Sequence, residues 1–115
     1  MSSFPEVRLR RFRRTGALRG LVRETRLSLD QFVMPLFVAP AALPDEGLPA
    51  MSRVTVDGLL REVEELVGLG VRAVILFGIP DDKDEEATGA WESDGIVQRA
   101  LRALRSEFPE LVLIT

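Results

Sequence analysis

Residues 55–78, TVDGLLREVEELVGLGVRAVILFG, predict a helix and a strand in direct succession. Thr55 is expected to cap the helix, Asp57 suits its first turn, and Gly70 predicts a left-handed end. Residues 73–77 then form a continuous apolar run, which is typical of a strand buried on both faces. The helix has one apolar face at three- and four-residue spacing. Its members are Val56, Leu59, Leu60, Val63, Leu66 and Val67.

The same strand signature occurs on both sides of this unit, in residues 32–38 (FVMPLFV) and 111–115 (LVLIT). The three strand starts, at 32, 73 and 111, lie 41 and 38 residues apart. This spacing suits right-handed βαβ units, which need about 30 residues or more. Pro35 is unexpected in the first strand, since proline cannot donate to a ladder and belongs at edges or bulges. Residues 39–53, rich in proline, alanine and glycine, predict a loop.

The remaining elements follow from shorter signals. Residues 81–86 predict a charged loop, and Ser93 or Asp94 is expected to open a helix over 94–107 that Pro109 ends. Residues 7–14 predict an extended arm. Leu18, Leu21 and Val22 share one face of a short amphipathic helix. The apolar face of the helix over 94–107 comprises Ile96, Val97, Ala100, Leu101, Leu104 and Phe108.

The element order is therefore arm, helix, β, α, β, α, β, which predicts an α/β fold with a parallel sheet. Residues 1–30 are expected to be a basic arm with a short helix. Residues 31–115 are expected to be the first β-α-β-α-β portion of a TIM (β/α)₈ barrel, which needs about 250 residues in all. Because nothing in the chain covers the inner face of such a sheet or pairs its edges, we expect the isolated chain to self-associate or aggregate.

Charge separates the arm from the body. Residues 1–26 hold eight arginines against two glutamates, a net charge of +6, and residues 27–115 have a net charge of −9. A basic arm predicts an anionic partner: nucleic acid, anionic lipid or the acidic body of a neighbouring copy. Nucleic acid is disfavoured because the arm has no aromatic side chain beyond Phe12 and no recognition helix follows it. We expect the arm to embrace a second subunit.

Composition narrows the possible chemistry. The sequence has no cysteine, histidine or tyrosine, and Lys83 is its only lysine. Disulfides and thiolate metal sites are thereby excluded within these residues. No apolar run approaches the roughly 20 residues of a membrane span, and the start resembles no secretory signal. These features predict a cytoplasmic scaffold that does not bind membranes.

Seven stretches, in this order and spacing, resemble the start of the porphobilinogen synthases (5-aminolevulinate dehydratases) through nearly the whole chain. No single stretch is specific, but the set across about 100 residues is. They are residues 8–14 (RLRRFRR), 21–25 (LVRET), 34–37 (MPLF), 74–80 (VILFGIP), 83–85 (KDE), 94–95 (DG) and 108–109 (FP).

The resemblance implies a hydro-lyase that condenses two molecules of 5-aminolevulinate into porphobilinogen during tetrapyrrole (heme) synthesis. It implies a TIM barrel whose arm embraces a neighbour, usually within an octamer. It also implies two Schiff-base lysines on later strands, and zinc or magnesium bound by residues that this chain lacks. The 115-residue chain is therefore expected to be inactive, with no catalytic residue and no metal ligand. One departure is that the family's Met-Pro-Gly-Val-x-Arg is three residues shorter here, at Met51-Ser52-Arg53.

Phe77 is the candidate site residue. It ends its strand, and active sites of barrels lie at that end; the resemblance implies that this phenylalanine lines the substrate pocket, although an ordinary core role is the alternative. Lys83 lies among five carboxylates, which should keep its amine protonated. We therefore expect Lys83 to be a solvated loop lysine. The same acidic run lacks the spacing of a calcium loop. Two other functions stay open: a free-standing interaction module with an anionic partner, and a barrel scaffold without chemistry.

Overall fold

The computed structural model describes residues 10–42 and 52–115. Its centre is a parallel four-stranded sheet in the order β2-β1-β3-β4. The strands are β1 (Val33–Val38), β2 (Arg53–Val54), β3 (Ala73–Gly78) and β4 (Val112–Ile114). The helices are α1 (Gly16–Leu21), α2 (Val56–Leu69) and α3 (Ile96–Glu107). The predicted parallel α/β architecture is confirmed. No helix of the described residues is both long and apolar enough to cross a membrane.

The ends of α2 are fixed by the predicted capping residues. The Thr55 hydroxyl accepts a hydrogen bond of 3.2 Å from the Gly58 backbone N–H. Gly70 follows the last turn with φ of 109°, in the left-handed region that glycine adopts without a steric cost. Both caps are local, so the sequence determines where α2 begins and ends.

In the described part of the chain, the hydrophobic core lies on one side of the sheet. Side chains of β1 and β3 that point to this side, Leu36, Val38, Val74 and Leu76, are buried against α2 and α3. The helices contribute buried residues at the predicted spacing: Leu59, Val63, Ile96, Ala100 and Leu104. The two helices therefore cover one face of the sheet, as expected.

Pro35 lies in β1 opposite Ile75 of β3. The Val38 carbonyl of β1 accepts from Ile79, on the β3 side, whereas the Ala39 N–H donates to Val54 on the β2 side. The backbone groups of successive residues in a strand point alternately to its two neighbours. The backbone nitrogen of Pro35 therefore points to the β2 side, away from β3. Among the described residues β2 pairs with β1 only at Phe37 and Val38. The missing N–H of Pro35 therefore costs no ladder hydrogen bond there.

Three expectations need correction. Arg53–Val54 is a short strand rather than part of a loop. Helix α3 begins at Ile96 with Gly95 as its N-cap and without a side-chain cap, so neither Ser93 nor Asp94 opens it. Arg11–Arg13 is a 3-10 turn rather than an extended arm. The rest of the arm up to residue 9, and most of the predicted loop (43–51), lie outside the described residues.

Candidate functional site

The second face of the sheet is apolar and open. Side chains alternate along a strand, so the residues whose neighbours face the helices point to this side. Val33 and Val112, which belong to one row across the sheet, are 46% and 53% exposed. Together, the three longest strands present Val33, Pro35, Phe37, Ala73, Ile75, Phe77, Val112 and Ile114. An apolar surface of this extent is typical of a face that packs against further structure.

Phe77 lies on this open face, at the carboxyl end of β3. Its register partner is Phe37 of β1. The two rings stack with centroids 5.3 Å apart and planes inclined by 22°, within the range of favourable aromatic pairs. Phe37 is half-buried, while Phe77 remains 44% exposed. The pair therefore presents one accessible aromatic side chain, supported by a second, at the strand end where barrel enzymes bind ligands.

Sequence reasoning proposed Phe77 as a site residue but did not consider its two neighbours in the row, Phe37 and Arg53. Arg53 of β2 is the register partner of Phe37 on the side away from Phe77. Its neighbour Val54 packs on the helix-side core, so alternation directs the exposed Arg53 to the open face. Phe37 could have been found from the sequence, because Phe37 and Phe77 both lie near the carboxyl end of an apolar run. Nothing in the sequence near Arg53 signalled a strand.

The charged loop after β3 lies apart from the aromatic pair. Together with α3 it encloses an open cavity of about 630 Å³ that is lined by Lys83, Asp84 and Arg99 among others, but not by Phe77. Hydrogen bonds from the hydroxyl and the backbone N–H of Thr88 lower the pKa of the Asp84 carboxyl; the backbone bond is 2.8 Å long. Lys83 is exposed. The structure therefore does not bring this lysine to the open face.

The part of the chain that the structure describes contains no set of side chains that could bind a metal ion. No three histidine, cysteine or carboxylate side chains of residues 10–42 and 52–115 are arranged to hold an ion. Zinc in proteins is held by cysteine, histidine and carboxylate groups, and the first two residue types are absent from the sequence. The described residues therefore do not provide the ligand set that zinc requires.

The chain is therefore a parallel α/β unit with one apolar sheet face exposed. Such a face is typically packed against further protein structure. Residues 6–115 match the family model of delta-aminolevulinic acid dehydratase. The chain belongs to this family, as the motifs in the sequence predicted.

Curated relatives carry the same name. The delta-aminolevulinic acid dehydratase of Synechocystis sp. is 45% identical over 114 residues, covering 96% of this chain and 35% of the relative. The Bacillus subtilis protein is 42% identical over 110 residues, covering 93% of this chain and 34% of the relative. The chain thus spans about a third of the length of the relatives that it matches.

A solved structure has the same fold over this length. It is the delta-aminolevulinic acid dehydratase (porphobilinogen synthase) of Toxoplasma gondii ME49, in complex with the reaction product porphobilinogen. It matches with a TM-score of 0.83 at 35% identity, over 93% of this chain and 32% of that one. The parallel arrangement of β1, β3 and β4 is therefore shared with an enzyme that binds porphobilinogen.

Proposed function

We propose that this chain forms the amino-terminal third of a cytoplasmic porphobilinogen synthase, which condenses two molecules of 5-aminolevulinate into porphobilinogen. The observation that supports it is the open apolar face, with Phe77 accessible at the carboxyl end of β3, in a chain of this family. In a closed barrel this face becomes the interior, and the carboxyl ends of its strands border the active site. Residues 31–115 would then be the first β-α-β-α-β portion of a TIM barrel.

Within that enzyme, this chain provides an apolar wall rather than reacting groups. Phe77 contacts the carbon skeleton of the substrate and excludes water from one side of the pocket. A Schiff-base lysine is activated by burial or by a nearby cation, whereas Lys83 is exposed among carboxylates. The condensation therefore depends on lysines outside these 115 residues, as the family resemblance implies. A bound zinc or magnesium would act as a Lewis acid and would be held by residues other than those described.

We also propose that the basic arm packs on a second subunit. In the described part of the arm, Phe12, Leu21 and Leu27 are all exposed although they are large and apolar, and arginines stand between them. Such a surface fits an acidic partner with apolar patches, and the body of this chain has a net charge of −9 over residues 27–115. Sedimentation of the 115-residue chain should show self-association that weakens with salt. Salt screens the attraction between the basic arm of one copy and the acidic body of another. A compact monomer at low micromolar concentration would contradict this.

The experiment for the proposed activity uses a hybrid enzyme, in which this chain replaces the matching segment of the Synechocystis relative. The hybrid should form porphobilinogen from 5-aminolevulinate, and Phe77→Leu should raise its KM. Phe32→Leu is the matched control, because Phe32 is 43% exposed against 44% for Phe77 but precedes β1 at the opposite end of the sheet. A folded hybrid without activity would reject the proposed function. Equal effects of the two variants would reject the role of Phe77.

A further inference from the structure

Among the described residues, Phe77 stacks on one aromatic side chain, Phe37, which is more buried than Phe77. Phe37 lies in β1 between β2 and β3, where Arg53 and Phe77 are its register partners on the two sides. On the β1 side, the Phe77 ring stacks on the Phe37 ring with centroids 5.3 Å apart. This contact therefore restricts the orientation of the Phe77 ring.

The burial of the two rings indicates different roles. Phe37 is half-buried, whereas Phe77 leaves 44% of its surface accessible. The accessible ring is available to a ligand on the open face, and the more buried ring stacks against it from the neighbouring strand β1. Without the support, an exposed phenylalanine distributes over several staggered rotamers. A ligand would then have to select one of them, which weakens binding.

The row of residues next to Phe37 and Phe77 on the open face indicates which part of a ligand can pack there. Pro35, Ile75 and Ile114 form that row and are all apolar. An apolar row of this kind suits the methylene carbons of the proposed substrate better than its charged groups. Aromatic contacts of this kind change affinity without supplying or removing a proton.

We propose that Phe37 is a positioning residue: its ring holds the Phe77 ring in the orientation that receives the aliphatic part of the substrate. This inference rests on the proposed function. Loss of the Phe37 ring should raise KM by about two- to twelvefold, which is the range of an aromatic pair at 1.4 kcal/mol per factor of ten. Because no reacting group is touched, kcat should change by less than about twofold.

The test is a double-mutant cycle in the hybrid enzyme, with KM, kcat and the Kd of porphobilinogen as readouts. Phe37→Leu and Phe77→Leu should each raise KM and Kd, and the double variant should be little worse than Phe77→Leu alone. Phe37→Tyr keeps the ring and should restore values near those of the parent. If Phe37→Leu does not fold, Phe37→Met removes the ring with a side chain of similar volume to leucine that adapts more easily to an irregular gap.

The outcomes separate this inference from the proposed function. An active parent hybrid in which the two substitutions are additive, or in which Phe37→Leu lowers kcat and leaves KM and Kd unchanged, overturns the positioning role alone. A folded but inactive parent hybrid that does not bind porphobilinogen overturns both. Coupled effects on KM and Kd, with recovery in Phe37→Tyr, establish Phe37 as the support of Phe77.

Discussion

Gly78 is the point at which β3 meets α3, and Gly78→Ala tests that contact. A Cβ at Gly78 would lie 2.4 Å from Cγ2 of Val97 and 3.0 Å from Cγ2 of Ile96. Carbon atoms in contact are normally about 3.5–4.0 Å apart, so α3 would have to move by roughly an ångström. Val97 cannot simply rotate away, because a β-branched residue in a helix has one strongly preferred χ1. Overpacking of this kind costs about 1–3 kcal/mol.

The assay is thermal unfolding of the hybrid enzyme, with Gly68→Ala as the matched control. Gly68 lies in α2, and a Cβ there would meet nothing within 4 Å, so alanine should stabilise the helix by roughly 0.5–1 kcal/mol. The same chemical change should therefore lower Tm at Gly78 and raise it at Gly68. If Gly78→Ala leaves Tm unchanged or raises it while Gly68→Ala is stabilising, the packing of α3 against the end of β3 is wrong. The placement of the adjacent Phe77 would then need revision.

Three further substitutions test local features, each by urea denaturation of the hybrid enzyme. Thr55→Ala removes the side-chain acceptor for the Gly58 N–H and should cost about 1 kcal/mol, while Thr55→Ser should cost little. Ala87 has φ of 52°, so Ala87→Gly should be stabilising by up to about 1 kcal/mol; a destabilised variant would contradict this backbone geometry. Burial, and then the charge of Glu65, raise the pKa of the Glu62 carboxyl. The folded state therefore binds the proton of the Glu62 carboxyl more tightly than the unfolded state does. The protonated carboxyl contributes stability at low pH, and this contribution is lost as pH rises through the raised pKa. Glu62→Gln should accordingly be more stable than the parent at pH 7 but not below the ordinary pKa of glutamate, and an equal difference at both pH values would exclude this cause.

The parts of the fold that could be predicted from sequence are those that depend on neighbours along the chain. Helix α2 was predicted with its caps because Thr55, Gly70 and the apolar spacing all act within a few residues. Strand β2 was missed because two residues carry no periodicity and its existence depends on Phe37 and Val38. The start of α3 was misplaced because Asp94 suits a cap chemically, yet Gly95 takes the extended conformation that precedes the helix.

The site shows the same division. Phe77 was predicted to be a site residue from its place at the end of a strand and from the family motif, both of which are contained in the sequence. Phe37 was missed because its role depends on the register of β1 against β3, which joins residues 40 positions apart. The acidic surroundings of Lys83 in the sequence predicted a solvated loop lysine. The cavity beside Lys83 could not be predicted, because it forms only where the loop packs on α3.

The central claim, that this chain supplies one third of a porphobilinogen synthase and none of its reacting groups, can be measured directly. The 115-residue chain is co-expressed, as a separate polypeptide, with the part of the Synechocystis relative that lies beyond the matching segment. Porphobilinogen should form from 5-aminolevulinate when both polypeptides are present and with neither alone, and Phe77→Leu should weaken the restored activity. Turnover by the 115-residue chain alone, or a complex of the two polypeptides that binds no porphobilinogen, would contradict the account.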